Sequence, residues 1–364
     1  MIYYITFACS SFFIWLSEYC KKRQKILQII FGLIGILILA GLAGVRNYNI
    51  GTDTLNYNNY FYAVRNYPNY IMYAKTMNYF YGLEPAFSFL NYVCGYLFKS
   101  PHSLYFFSEF IICANVYTSL LKMHKHINVV LGWITFCFLF YTTTFNILRQ
   151  SIAFSIVLLG IIYLFNGKKY KSFVCLFFAC LFHVSAIISF TIYIMGCLLY
   201  KVQNGRQRRI FFYCFVFITI LLPSVINKIY SLGFFNDKYS QYINDTAQVS
   251  LLSTIGIRLP MILVILYILY KYKNIDNNIL FIFLIMVQEF MMLPLQGMSA
   301  AVGRLMLYFG ISKVVGYPLA LNILKKRSNG LNFFLNFTYL LMLAIIFYYQ
   351  VIINNNNQVY PFTI

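Results

Sequence analysis

Apolar runs separated by short polar stretches repeat along the whole chain. They fall near 2–17, 26–45, 84–98, 103–121, 127–146, 149–165, 171–200, 210–226, 257–272, 279–294, 299–321 and 332–353. A helix needs about 20 apolar residues to cross the hydrocarbon core of a bilayer. Most of these runs are close to that length, and they are continuous where a membrane β-barrel would alternate. The pattern predicts an all-α polytopic membrane protein with roughly 11–13 transmembrane or re-entrant helices. No repeat of fixed period and no separate soluble segment breaks the series, so residues 1–364 read as a single integral membrane domain. Two polar connections are long, 46–83 and 227–256, and an Asn run at 354–357 opens the C-terminal tail.

Composition agrees with that reading. The chain is 61% hydrophobic and 10% charged, against about 25% charged residues in a soluble domain. Its formal net charge of +20 could suggest a nucleic-acid partner, but the distribution argues against one. Eighteen of the 28 Lys and Arg residues sit in six clusters between apolar runs: Lys21/Lys22/Arg23/Lys25, Lys122/Lys125, Lys168/Lys169/Lys171, Lys201/Arg206/Arg208/Arg209, Lys271/Lys273 and Lys325/Lys326/Arg327. Clusters of this kind mark cytoplasmic ends. The nine cysteines are scattered, mostly in apolar runs and without metal-ligand spacing, and read as small buried hydrophobes. Residues 1–17 lack a basic start and a cleavage site, which predicts a retained first helix with its N-terminus outside.

The clusters also predict a topology. With 21–25 inside, 26–45 runs outward and 46–83 lies outside. Segment 171–200 has basic residues at both ends, so it must go out and return, turning at "FHVSA" (182–186). Segment 210–226 then runs outward, 227–256 lies outside, 257–272 returns, 279–294 goes out and 299–321 comes back. The last segment leaves the tail outside. Lys122 and Lys125 fit only if one of 84–98 and 103–121 does not fully cross. The shorter, 84–98, is the expected exception, and irregular passes need cover from protein or a wet cavity.

Charges inside a membrane cost about 2.5–3.5 kcal/mol even on lenient scales and usually serve function. Here they are Arg46, Glu84, Glu109, Arg149, His183, Arg258, Glu289, Arg304 and Lys313. The topology brings Arg46, Arg149, His183, Arg258, Glu289 and Arg304 to the outer leaflet level, with Asp53 and Tyr360–Pro361 just outside. Such a set suits an anionic, membrane-borne substrate, because the arginine fork binds phosphate bidentately. Blander readings stand beside this one. An Arg near a helix end can snorkel to head groups, and His183 can be a packing residue. Glu289 can simply pair with an Arg, and Glu84–Pro85 can be a helix start. Lys313 needs a partner that the sequence does not name. The tyrosines of 57–81 suit either an interfacial belt or stacking on sugars.

"GVRNYNIGTDTLNYNNYF" (44–61) resembles the signature of the EpsG-like family, related to Wzy-type polysaccharide polymerases. "LEPAFSFLN" (83–91) resembles its Glu-Pro segment, and "LRQSIAF…FHVSAII" (148–188) its Arg-Gln helix and Phe-His-x-Ser-Ala element. "GRLMLYF" (303–309) is similar to its late Arg…Tyr-Phe helix, and "VYPF" (359–362) to its terminal Pro-aromatic element, with Phe362 where Tyr is common. The match runs through nearly the whole chain in order.

The resemblance implies a glycosyltransferase with a GT-C-like membrane-helical architecture, in the bacterial cytoplasmic membrane with its site facing outside. Such proteins join oligosaccharide units carried on undecaprenyl diphosphate into O-antigen, capsule or exopolysaccharide, with no cofactor and no metal. The expected partners are that lipid-linked substrate, membrane lipids and a chain-length regulator protein, and no nucleic acid. Carried onto this sequence, the matched positions include Arg46, Gly51, Thr52, Asp53, Tyr57, Glu84, Pro85, Arg149, Gln150, His183, Ser185, Arg304, Tyr308 and Pro361. Arg149 and Arg304 are expected to hold the diphosphate, with Arg46 assisting or locking Asp53. Glu84, Gln150, Tyr57 and Tyr308 are expected to contact substrate. Asp53 or His183 is the expected general base, with Glu289 as a third candidate. The rival readings are an O-antigen ligase, a flippase of the lipid-linked unit and a surface-sugar acetyltransferase.

Overall fold

The computed structural model describes residues 1–21, 24–202, 251–272, 275–296, 300–326 and 332–364, with isolated positions between 204 and 228 and Gly330. The expected segment 210–226, most of the connection 227–256, and the basic residues Lys22, Arg23, Arg206, Arg208, Arg209, Lys273 and Arg327 lie largely or wholly outside the described residues. All regular structure among the described residues is helical. Five helices are long and apolar enough to cross a membrane: Lys25–Val45, His102–Met123, Leu148–Phe165, Thr254–Lys271 and Asn332–Ile353. Val302–Gly310 and Lys313–Lys325, bent by 45°, make a sixth if taken as one broken span. Three apolar helices, Val129–Leu139, Val184–Leu199 and Asn277–Met291, are shorter. The protein is therefore an all-α polytopic membrane protein.

Helix α1 (Ile2–Cys20) lies against α2 (Lys25–Val45), and α2 also packs on α6 (His102–Met123). The glycines of α2 make this close packing possible. A Cβ on Gly35 would stand 2.8 Å from Ile14 of α1, and one on Gly32 would stand 2.6 Å from Tyr117 of α6. Ser10 of α1 donates to the Gly35 carbonyl at 2.7 Å and accepts from the Trp133 indole at 2.9 Å. Trp133 brings in α7 (Val129–Leu139). Most of α8 (Leu148–Phe165) is buried, so it forms a central post between α6 and α9 (Lys169–Phe182).

Contacts at the helix ends fix which residues share a level. Ser17, near the end of α1, bonds the Tyr117 hydroxyl and the Gln28 carbonyl. Lys122 and Lys171 both lie over the Tyr163 ring, and Asn322 donates to the His126 carbonyl. Asn277 donates to the carbonyls of Leu199 and Val202. The described members of the six basic clusters thus gather at one end of the molecule.

At the opposite end, Gly44 of α2 abuts Phe106 and the His102 carbonyl at the start of α6. The chain between 46 and 101 therefore leaves and returns at one level. It forms a layer of three short helices, α3 (Thr54–Ala63), α4 (Tyr70–Tyr81) and α5 (Pro85–Leu97). The polar connection 46–83 is thus largely helical. Tyr57 and Tyr73 are buried within the layer, whereas Tyr79 is exposed. At 13 residues, α5 is about 20 Å long, too short for a core of about 30 Å. Both ends of segment 84–98 lie at this end of the molecule, one beside the start of α8 and the other at the start of α6, and Lys122 and Lys125 join the other clusters.

The long segment 171–200 is broken at His183, whose backbone is extended between α9 and the 3₁₀ turn leading to α10 (Ser189–Leu199). His183 meets the carboxylate bound to Arg149 at the start of α8. Tyr200, just after α10, donates to the Leu164 carbonyl near the end of α8. Helices α9 and α10 therefore form a hairpin along α8. The remaining bundle consists of α11 (Leu251–Lys271), α12 (Asn277–Met291), α13 (Ala300–Gly310), α14 (Lys313–Lys325) and α15 (Asn332–Phe347), the last continued by a π turn over Tyr348–Ile353.

Candidate functional site

The candidate site lies at the end away from the basic clusters, beneath the three-helix layer. Glu84 precedes Pro85 at the first position of α5. Proline is favoured there because its missing N–H would be unpaired in any case. The Glu84 side chain does not cap α5. One oxygen accepts from Arg149 Nη1 at 2.7 Å. The other accepts from His183 Nδ1 at 2.6 Å and from the Val184 N–H at 3.2 Å. Burial, the largest influence on Glu84, favours its neutral form, but His183 and Arg149 outweigh this and hold the carboxyl at about 2. Glu84, expected to contact substrate, is the brace that ties α5, α8 and the α9–α10 break together.

Arg149 also donates to the carbonyl of Gly82 at 3.1 Å. Gly82 ends α4 in the left-handed region, at φ 60°, where a residue without Cβ is at no disadvantage. Tyr57 is buried in α3, and its hydroxyl bonds Arg149. The Asp53 carboxylate precedes α3 and makes no capping bond. Burial raises its pKa above the ordinary range, and the nearby charges of Arg304 and Arg149 offset only part of the rise. Gln150 donates to the backbone carbonyl of Arg304 at 2.5 Å, while its own buried Oε1 has no partner. Ser185 and Tyr308 share a hydrogen bond at 2.9 Å. Asp53, Tyr57, Glu84, Arg149, Gln150, His183, Ser185, Arg304 and Tyr308 thus form one linked group drawn from five parts of the chain. His183 Nδ1 faces the carboxylate, which leaves Nε2 as the nitrogen able to exchange a proton elsewhere.

Arg46 is placed otherwise than expected. It is fully buried, its guanidinium stacked 4.2 Å from the Tyr105 ring centroid and 4.4 Å from that of Phe145. It donates to the Phe145 carbonyl at 3.1 Å, and Nε and Nη1 have no hydrogen-bond partner. A group with no exposed surface cannot touch substrate in this conformation, so Arg46 supports the floor of the site. Glu109 is buried in α6, bonded to Thr144 and Cys113.

Glu289 belongs to a second cluster. Its Oε1 accepts from Arg258 Nε at 2.8 Å and from Lys313 Nζ at 2.7 Å, and its buried Oε2 has no partner. The carboxylate expected as a third base is thus bound to two cations, and it is the partner Lys313 requires. All three line a cavity of about 400 Å³, whose wall also carries Gln296, Gln350, Asn356 and Asn357.

Asn146 is a site residue that the sequence pattern did not single out. Its Oδ1 accepts from the Thr52 N–H at 2.9 Å and its Nδ2 donates to the Asn357 carbonyl at 3.1 Å. It therefore joins the Gly-Thr-Asp turn to the tail. A polar residue three positions before Arg149 in an apolar run was its only sequence signal. The tail is pinned further by the Gly51 N–H to the Gln358 carbonyl, the Asn47 N–H to the Thr363 carbonyl, and the Tyr3 hydroxyl to the Val359 carbonyl. Among the described residues, no group of three or more His, Cys, Asp and Glu side chains could hold a metal ion.

No curated protein and no solved structure matches the chain. The EpsG family model matches residues 29–364, nearly the whole length. The chain belongs to the EpsG family, whose members are membrane proteins of polysaccharide biosynthesis.

Proposed function

We propose that the protein is a polysaccharide polymerase that joins oligosaccharide units carried on undecaprenyl diphosphate. The observation that carries this reading is the Glu84 brace, which aligns a guanidinium and an imidazole at one end of the bundle beside Asp53 and Arg304. By the positive-inside rule, the end away from the basic clusters faces outside the cytoplasmic membrane.

In this mechanism Arg149 and Arg304 bind the donor diphosphate and stabilise the charge that develops on it as it leaves, a form of electrostatic catalysis. An acceptor sugar hydroxyl attacks the anomeric carbon of the donor. The new glycosidic C–O bond forms as the C–O bond to the diphosphate breaks. The hydroxyl proton passes to a general base, and polyprenyl diphosphate departs with the bonding electron pair. His183 Nε2 is suited to that proton because Glu84 fixes the tautomer and orientation of the ring. Asp53 is the alternative base, with its raised pKa nearer the operating range.

The test uses purified full-length protein in lipid nanodiscs with a lipid-linked repeat unit. Formation of a lipid-linked dimer together with free polyprenyl diphosphate is the expected result. Transfer only to a lipid A–core acceptor would make the protein a ligase. Movement of the unit across the membrane with no new glycosidic bond would make it a transporter.

A further inference from the structure

A polymerase of this kind must hold two lipid-linked molecules, a donor and an acceptor, and the Arg149 group is one polar site. The second cluster provides another. Its cavity is walled by α7, α11, α12, α13, α14 and α15 with the tail, and contains Arg258, Glu289 and Lys313. Two cations share one carboxylate oxygen there, leaving net positive charge in a buried place. The second oxygen of Glu289 is buried without a partner, and Glu289 itself is 2% exposed. That oxygen has no exposed surface, so the groups open to a ligand are the Arg258 side chain, 20% exposed, and the amides of the wall. The side-chain amides of Gln296, Gln350 and Asn356 add the donors and acceptors that a sugar requires.

An apolar groove adjoins this cavity. It lies between α11 and α15, holds about 530 Å³, and is lined by Gly256, Ile257, Pro260, Leu341, Ile345 and Ile346 among others. Ile257 and Ile346 line both the groove and the polar cavity, so the two are adjacent. Arg258 follows Ile257 at that junction, with its side chain 20% exposed. An apolar groove, an arginine and a polar cavity side by side match a molecule with a long hydrocarbon chain, a phosphate and a sugar, in that order. An ordinary phospholipid would leave the amide-rich interior unfilled.

We propose that this groove and cavity form the second lipid-linked substrate site. The polyprenyl chain lies between α11 and α15, its diphosphate meets Arg258, and its sugar meets the side-chain amides of the cavity wall. The assignment of two lipid-linked reactants rests on the polymerase reading; the binding chemistry does not.

The test is photolabelling of the full-length protein in nanodiscs with undecaprenyl diphosphate bearing a diazirine in its chain. Label is expected on peptides from 251–271 and 332–353, displaced by unlabelled undecaprenyl diphosphate and not by phosphatidylglycerol. Gly256→Trp fills the groove. A Cβ at Gly256 meets nothing within 4 Å, so the fold should keep its Tm. Displacing two methylene-sized groups of the chain corresponds to about tenfold in affinity, and labelling should fall by at least that factor. Leu341→Trp, at a half-exposed groove position, should do the same, and Arg149→Ala should leave this label in place. Even labelling of all lipid-facing helices, equal displacement by phosphatidylglycerol, or undiminished labelling in both Trp variants would overturn the site. The dimer assay separates this from the polymerase reading. Normal labelling and dimer formation in both Trp variants would remove the site and keep the polymerase. Specific groove labelling of wild type that forms no dimer would do the reverse.

Discussion

Glu84→Gln changes one atom of the bridge between Arg149 and His183 and leaves its size alone. The carboxylate accepts three hydrogen bonds, from Arg149, His183 and the Val184 N–H. A glutamine has one acceptor oxygen and one NH₂. If the oxygen stays with Arg149, the NH₂ faces the Val184 N–H and forces His183 Nδ1 to become an acceptor. The proton then moves to Nε2, which can no longer serve as a base. If the oxygen turns to His183, the NH₂ meets the Arg149 guanidinium, donor against donor. Either arrangement leaves a buried donor unpaired, at about 1–3 kcal/mol, and more when the donor is charged. The variant should lose about 3 kcal/mol of stability, visible as a lower Tm in detergent, yet remain largely folded. Dimer formation should fall far more, because inverting the tautomer of a carboxylate-oriented histidine costs roughly 10⁴-fold in the Ser-His-Asp triad. Glu84→Gln protein that is folded and polymerises at the wild-type rate would refute the bracing role and the assignment of His183.

Three further perturbations address other parts of the site. Arg46→Lys should destabilise by about 2–4 kcal/mol, read as a lower Tm and yield, because an ammonium cannot stack between Tyr105 and Phe145 as the planar guanidinium does. Gly51→Ala should cost about 2 kcal/mol or more and shorten the polymer, since φ is +95° and the new Cβ would stand 2.5 Å from Asn146 Oδ1. The raised pKa of Asp53 has two consequences of opposite sign. Stability from its protonated form is present at low pH and is lost as pH rises through the folded value. Activity that needs the carboxylate rises through the same range, so the acid limb of the rate profile should lie above the ordinary carboxylate value of about 3.9 and vanish in Asp53→Asn.

Features set by local pattern were legible in the sequence. The basic clusters do share one end, both ends of 84–98 lie at the other, and the 171–200 hairpin does break at His183, because charge and run length act locally. Glu84, Arg149 and His183 were identifiable as membrane charges too costly to be idle. Their pairing was not, because the 65 and 99 residues that separate Glu84 from Arg149 and from His183 leave no periodic signal. The same limit hid the role of Arg46. Its stacking partners, Tyr105 and Phe145, are aromatic residues in a chain where aromatics are common, so neither marks itself. Glu289 was misgrouped because membrane depth alone placed it with Arg149. Depth does not distinguish two clusters at the same level, and only the packing of α11 and α14 against α12 gives this carboxylate to Arg258 and Lys313.

The central claim is that Arg149 belongs to the site of a polymerase. The measurement that tests it most directly is the size profile of surface glycan in a strain lacking this protein, re-expressing either wild type or Arg149→Ala, with membrane protein levels measured in parallel. The expected result is a single repeat unit in the deletion, a full ladder with wild type, and a single repeat unit with Arg149→Ala at normal protein level. A normal ladder from Arg149→Ala, or a deletion strain that still makes full-length polymer, would contradict the claim.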